Sequence, residues 1–150
     1  MQNAEICWNE NFLKLLKKKL LFTIMYNGEL LTFADFNQEH RRCLEFIKQE
    51  VDKSKSRYKI VVSHHVPSYL MQCPKFADSH ANGAFIVELK DFIEQSNIDF
   101  WIFGHSHYNI DKVIGKTTCL SNQLGYVFHN EHKSLKASGQ THIGFCRIPV

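Results

Sequence analysis

The chain lacks several of the patterns that assign a sequence to a protein class directly. Its five cysteines are scattered, and no two form a Cys-x-x-Cys pair. This spacing argues against a thiolate zinc site or a disulfide framework and fits a reducing compartment. No apolar stretch approaches the roughly 20 residues of a membrane-spanning helix, and polar residues fill the N-terminal positions where a secretory signal would be apolar. We therefore expect a cytoplasmic protein with no membrane partner.

The chain also lacks a strong net charge. Its formal charge is +3, and no long basic stripe with interleaved aromatic residues is present, so the sequence gives no specific sign of nucleic-acid binding. Its 150 residues are 44% hydrophobic and 22% charged, a composition typical of a globular chain that buries a core. Because no repeat or linker interrupts it, we expect a single domain over residues 1–150, with a poorly defined segment at 1–34.

Hydrophobic periodicity predicts alternating helices and strands. Apolar residues at helical spacing predict helices at 37–53, capped by Asp35, and at 84–95. Continuous β-branched and aromatic runs predict strands at 58–63 and 99–103, and the loop at 64–83 is long enough to be functional. Because the order is helix, strand, helix, strand, we expect right-handed crossovers and parallel neighbouring strands.

The two ends of the chain have weaker patterns. Residues 110–114 and 117–121, on either side of Gly115-Lys116, predict a β-hairpin, and 141–148 predict a last strand after a polar loop at 129–140. Near the start, Phe12, Leu16 and Leu20 repeat at helical spacing among lysines. This stretch fits either an ordinary surface helix or a basic amphipathic helix on a membrane or partner.

Histidines follow both predicted strands. His64 and His65 come after the first strand, and Gly104-His105-Ser106-His107 comes after the second. The carboxyl ends of neighbouring parallel strands are where ligands bind, and neutral imidazole is a common metal ligand. In an extended chain, residues i and i+2 project to one side, so we expect His105 and His107 to face one cleft and His64 and His65 to point apart. The alternative is that these histidines are solvated or hydrogen-bonded in polar loops. Taken together, the two clusters predict a metal site with hydrolytic chemistry.

These residues resemble a known family. Val61-Val62-Ser63-His64-His65-Val66-Pro67 and Phe103-Gly104-His105-Ser106-His107 resemble the last two motifs of the calcineurin-like metallophosphoesterases, over about residues 58–126. The resemblance implies a β-sandwich flanked by helices, with a two-metal site at its strand ends. We therefore expect a mixed α/β fold, a partial calcineurin-like sandwich in which helices flank a mixed sheet that ends in a β-hairpin.

The resemblance also implies roles for individual residues. His64 and His105 would bind one metal and His107 the other, while Tyr108 and Asn109 would line the cleft and contact substrate. His65 has no fixed ligand role in the family and is our candidate catalytic residue. Two manganese, iron or zinc ions would hold a bridging hydroxide for in-line attack on a phosphorylated substrate.

The sequence departs from the family pattern upstream of these motifs. No Asp-x-His, Gly-Asp-x-x-Asp or Gly-Asn-His motif precedes His64. Imidazoles without a bridging carboxylate do not offset the repulsion between two cations, so we expect partial or no metal occupancy in this chain alone. We therefore expect the C-terminal half of a phosphoesterase, truncated and inactive alone, with a missing N-terminal half or a homodimer as partner. The alternative is a non-catalytic remnant or interaction module without turnover.

Overall fold

The computed structural model describes residues 25–131. The helix predicted near Phe12 and the strand predicted at 141–148 lie outside the described residues. No helix within the described part combines the length and apolarity that crossing a membrane requires. The strands are Met25–Tyr26 (β1), Glu29–Leu30 (β2), Ile60–Val62 (β3), Phe100–Ile102 (β4), Asp111–Ile114 (β5) and Thr117–Leu120 (β6), and the helices are Phe33–Lys53 (α1) and Lys90–Gln95 (α2).

Strands β3 to β6 form one mixed sheet in the order β3-β4-β6-β5. β3 runs parallel to β4, with Ile60 opposite Phe100, and β4 runs parallel to β6. β5 and β6 pair antiparallel as the hairpin predicted around Gly115, whose φ of +59° suits glycine. The mixed α/β fold, the parallel neighbours and the hairpin are thus confirmed.

The long helix α1 begins four residues before its predicted start. Its cap is Thr32, whose hydroxyl accepts a hydrogen bond from the Asp35 N–H at 3.2 Å, while the Asp35 carboxylate accepts one from the Thr32 N–H at 2.9 Å. Asp35 is therefore the third residue inside a capping box, and its prediction as the cap itself is wrong. The reciprocal pair satisfies two backbone groups that the first helical turn leaves without partners.

The second predicted helix is much shorter than expected. Only Lys90–Gln95 is α-helical, because the residues just before it pair with the chain that leaves β3, where Ile86 forms a parallel bridge with Val66. Val66 donates to the Phe85 carbonyl at 3.0 Å and accepts from the Val87 N–H at 2.9 Å. The loop at 64–83 is likewise not featureless, since it and the following residues contain helical turns at Tyr69–Met71, Pro74–Phe76 and Asn82–Ala84.

The sheet has one buried face and one open face. Val61, Trp101 and Cys119 lie in register on the buried face, where they are 7%, 1% and 0% exposed and pack with Leu44 of α1 and Ile93 of α2. Residues paired across strands point to the same side of a sheet, so the alternate positions share the other face. That face is mostly apolar and is open at its two edges, where Ile60, Val62 and Val113 are 48%, 69% and 64% exposed.

Candidate functional site

The parallel pairing of β3 and β4 places their following residues side by side. The Ser63 N–H donates to the Ile102 carbonyl at 2.9 Å, and the Gly104 N–H donates to the His64 carbonyl at 3.1 Å. These two hydrogen bonds carry the contact between the strands one step beyond the sheet. The two histidine motifs therefore leave the sheet together at its carboxyl edge, as ligand-binding residues do in open α/β sheets.

His64 and His105 meet directly at this edge. Nδ1 of His105 lies 2.8 Å from Nε2 of His64. The rings of His65 and Phe85 also lie beside that of His105, with centroids 4.9 Å and 4.3 Å away. The prediction that His64 and His65 point apart is wrong, because the backbone bends at both residues and is no longer extended there.

Burial keeps the central ring of this cluster neutral. Desolvation, followed by repulsion from His65, His64 and His107, lowers the pKa of His105 to about 4. Desolvation also lowers the pKa of His65, with smaller contributions from His64 and His40. Both imidazoles are therefore uncharged at neutral pH, and the neutral ring is the form that binds a cation.

His107 does not join this cluster. His105 and His107 both have left-handed backbone conformations, with φ of +71° and +48°, so the segment is not the extended chain that we predicted. The ring of His107 instead packs on Tyr126, with centroids 4.5 Å apart, and its Nδ1 lies 2.9 Å from Oε2 of Glu131. The extended-chain geometry from which we expected this pair to face one cleft is therefore wrong. That both histidines belong to one site stays a prediction.

The strained turn at 104–109 is held by Gln123. Its side-chain oxygen accepts a hydrogen bond from the His107 N–H at 2.9 Å, and its Nε2 donates to the Tyr108 carbonyl at 3.1 Å. Asn109 is only 7% exposed, and its amide group donates to the Gln123 carbonyl at 3.3 Å and accepts from the Gln123 N–H. Left-handed conformations at residues other than glycine persist only where surrounding contacts enforce them, and these hydrogen bonds do so.

Glu131 is a site residue that sequence reasoning missed. Its Oε2 accepts a hydrogen bond from the Tyr126 N–H at 2.6 Å as well as facing His107. The Tyr126 N–H, together with His107 and His129, lowers the pKa of the Glu131 carboxyl. The sequence predicts a polar surface loop at 129–140, of which the structure describes only residues 129–131, and no motif or periodicity distinguishes Glu131 within that stretch.

The described residues fit a metal only in part. In a tetrahedral zinc site, ligand nitrogens about 2.0–2.1 Å from the metal lie about 3.3 Å apart. Nδ1 of His105 and Nε2 of His64, which are 2.8 Å apart, would therefore need to separate by only about 0.5 Å. Residues 25–131, however, contain no group of three His, Cys, Asp or Glu side chains placed to hold an ion. The one Asp-x-His triplet in this range, Asp78-Ser79-His80, has both of its potential ligands exposed in a turn.

A cavity of about 380 Å³ lies beside His64 and His65, between α1 and the carboxyl end of β3. His64, His65 and His40 lie along its wall, and most of its remaining lining is apolar. Mixed apolar walls with a few polar groups are typical of small-molecule sites, and this volume is within their usual range. The apolar side chains include Phe36, Leu44, Val66, Val87, Leu89 and Trp101.

Comparison with known proteins places these features in one family. Residues 5–109 match the family described as calcineurin-like phosphoesterase, a match that begins well upstream of the motifs that suggested it and ends at Asn109. An uncharacterized protein of Acanthamoeba polyphaga mimivirus is 26% identical over an alignment 103 residues long, which covers 64% of this chain and 36% of the viral protein. This chain thus spans about a third of that relative's length. No solved structure matches the chain.

The family match also bears on chemistry. Calcineurin-like phosphoesterases generally bind divalent metals, and the family's name describes hydrolysis of phosphoesters. The two histidine motifs at the ends of β3 and β4 both lie inside the matched range. Because the match covers more than half of its residues, the chain belongs to the calcineurin-like phosphoesterase family.

Proposed function

We propose that this chain carries part of the active site of a metal-dependent phosphoesterase. The observation that supports the proposal most strongly is the 2.8 Å contact between the ring nitrogens of His64 and His105 at the shared edge of two parallel strands. Membership of the family supports the reaction class. A bound divalent metal would supply an activated water and a positive charge for the phosphoryl oxygens.

In this proposal, the chain's own residues orient the reaction. His64 and His105 would hold one manganese, iron or zinc ion, and His107 would contribute to a second ion. His65, whose ring lies 4.9 Å from that of His105, would contact the substrate. Tyr108 lies in the same turn as His107. The apolar cavity beside His65 would take the part of the substrate that is not phosphate. Carboxylate ligands would come from an N-terminal half of the domain, which we propose as the partner that completes the site.

Metal titration of the full 150-residue chain tests the histidine pair. We expect weak zinc or manganese binding by calorimetry, because two imidazoles supply only half of a tetrahedral ligand set. His105→Ala should weaken this binding by at least about 10–100-fold. Removing a residue that merely hydrogen-bonds to a metal ligand already causes a loss of that size. His80→Ala is the matched control, since His80 is exposed outside the cluster. Equal affinities for all three proteins would contradict the proposed pair.

Activity tests the completed site. With a polypeptide that carries the family's aspartate motifs added in trans, we expect hydrolysis of an aryl phosphate that His64→Ala and His105→Ala abolish. If the complemented protein is active and His107→Ala leaves that activity unchanged, the assignment of His107 is wrong. If no complemented protein is active, the activity and the fragment interpretation both fail.

The open face of the sheet favours a second candidate function, a non-catalytic interaction module. Exposed apolar side chains at Ile60 and Val62 of the edge strand and at Val113 form a surface that association would bury. Under this alternative, the pure chain forms a homodimer through that face, and Val62→Lys dissociates it in sedimentation velocity. Val127→Lys is the matched control, because Val127 is similarly exposed but lies outside the sheet. Phosphatase activity of the pure chain would exclude this alternative.

A further inference from the structure

Several contacts hold His107 and Glu131 against each other. Nδ1 of His107 lies 2.9 Å from Oε2 of Glu131, and the same oxygen accepts the Tyr126 N–H at 2.6 Å. The ring of Tyr126 packs edge-on against His107. The carboxylate is thus anchored by backbone, and the imidazole is held between a carboxylate and an aromatic ring.

Two further features keep this geometry in place. Gly125 has a φ of +68°, and a side chain there would collide with the Glu131 carboxylate, so the glycine both permits the turn and leaves room for the acid. On the other side, the Gln123 side chain accepts the backbone N–H of His107 at 2.9 Å. The imidazole is therefore fixed at its backbone and at one ring nitrogen.

The chemistry of the pair determines where the imidazole proton lies. An ionised carboxylate only accepts hydrogen bonds, so Nδ1 of His107 must carry the hydrogen at this contact. A neutral imidazole has one donor and one acceptor nitrogen. Nε2 is consequently left with its lone pair, which is the form of that nitrogen that binds a cation or accepts a proton.

We propose that Glu131 is the positioning residue of His107, which it holds in the Nδ1–H tautomer with Nε2 turned to the reacting group. What Nε2 meets rests on the proposed function, but the tautomer does not. A carboxylate that orients a ligand histidine contributes about 10–100-fold to metal affinity in characterised sites. Glu131 therefore acts through His107 without contacting the substrate.

Nitrogen NMR of the full chain, labelled with ¹⁵N-histidine and kept at mildly alkaline pH, tests this role without any metal. We expect His107 to be the Nδ1–H tautomer in the wild type and to shift toward Nε2–H in Glu131→Ala. Glu131→Gln should largely retain Nδ1–H, because its amide oxygen still accepts a hydrogen bond. Glu45→Ala, which removes a surface carboxylate paired with Lys48, is the matched control and should change nothing at His107.

A second variant covers the case in which Glu131→Ala does not fold. Gly125→Ala keeps the carboxylate but displaces it, and we expect the same tautomer shift. An Nε2–H tautomer in the wild type, or no shift in either variant, would overturn the proposal.

Zinc titration of the same proteins, with the aspartate-motif polypeptide added, separates this inference from the proposed function. A tautomer shift with a 10–100-fold loss of affinity in Glu131→Ala supports both. A tautomer shift with unchanged affinity supports the positioning role and contradicts His107 as a ligand. A loss of affinity without a tautomer shift overturns the positioning role, because the loss then has another cause.

Discussion

The free energy of unfolding should fall as the pH drops from about 6.5 to about 4. The folded chain holds the pKa of His105 at about 4, below the ordinary value of 6.5, because the ring is partly buried among other imidazoles. Between these values the unfolded chain binds a proton that the folded chain does not, so stability rises with pH across the window and is fully present above it. The pKa of His65 is lowered as well, so this residue also makes the folded chain less stable as the pH falls.

The size of this effect follows from the shift and from the partial exposure of the ring. A shift from 6.5 to about 4 corresponds to at most about 3.4 kcal/mol. Because the ring is only half buried, solvent reduces this to about 1–2 kcal/mol. The lowered pKa values of Asp35 and Glu131 act in the same direction, but at lower pH, since those carboxyls titrate below their ordinary values.

Urea unfolding at a series of pH values measures the effect. In His105→Asn, most of the dependence of the unfolding free energy on pH between 6.5 and 4 should disappear. His80→Asn, at an exposed position, should retain it. A slope that persists unchanged in His105→Asn would mean that another group carries the acid sensitivity. The measurement needs no metal and no partner.

Sequence patterns predicted those elements whose local and tertiary preferences agree. The strands β3 and β4 are short β-branched or aromatic runs, and their parallel pairing follows from the helix between them. The hairpin follows from Gly115, which provides the left-handed turn residue between two extended runs. The meeting of His64 and His105 follows from the same reasoning, since both come directly after neighbouring strand ends.

The helix predicted at 84–95 is confirmed only over Lys90–Gln95, because a tertiary contact outweighs periodicity in its first half. The prediction that the apolar residues of this stretch belong to the core is confirmed, since Ile86, Leu89 and Ile93 are 5%, 9% and 0% exposed. Ile93 is buried from the helix, whereas the residues before the helix are held out of it by hydrogen bonds with Val66 and Pro67. Helical and extended chain can both bury such a stripe, and the partner strand that decides between them is distant in sequence.

The position of His107 could not be predicted for a different reason. Its orientation depends on left-handed backbone conformations at His105 and His107, which L-residues adopt only under external constraint. That constraint comes from Gln123 and Asn109, and the acid that meets the ring is Glu131. None of these three has a local sequence signal, because each acts through a turn that closes in space.

Trp101→Ala should produce the largest loss of stability, about 3–5 kcal/mol, which is typical for a buried aromatic residue. Trp101 is 1% exposed at the centre of the sheet's buried face, and its ring packs edge-on against Phe92. Its indole N–H also donates to the Ser63 hydroxyl at 2.9 Å, and that hydroxyl donates to the His65 carbonyl at 2.9 Å. The core is thereby linked to the backbone of the first histidine motif.

Comparing Trp101→Ala with Trp101→Phe separates packing from this hydrogen-bonded chain. Phenylalanine retains most of the apolar volume but removes the donor to Ser63, so we expect a smaller loss of about 1–2 kcal/mol. Phe46→Ala, at a position 64% exposed, is the control and should stay within about 0.5 kcal/mol of the wild type. Urea unfolding measures all three. Equal losses of stability for the two Trp101 variants would assign the whole effect to the hydrogen bond with Ser63. If Trp101→Phe is as stable as the wild type, the hydrogen bonds that join Trp101 to Ser63 and Ser63 to His65 contribute nothing to stability.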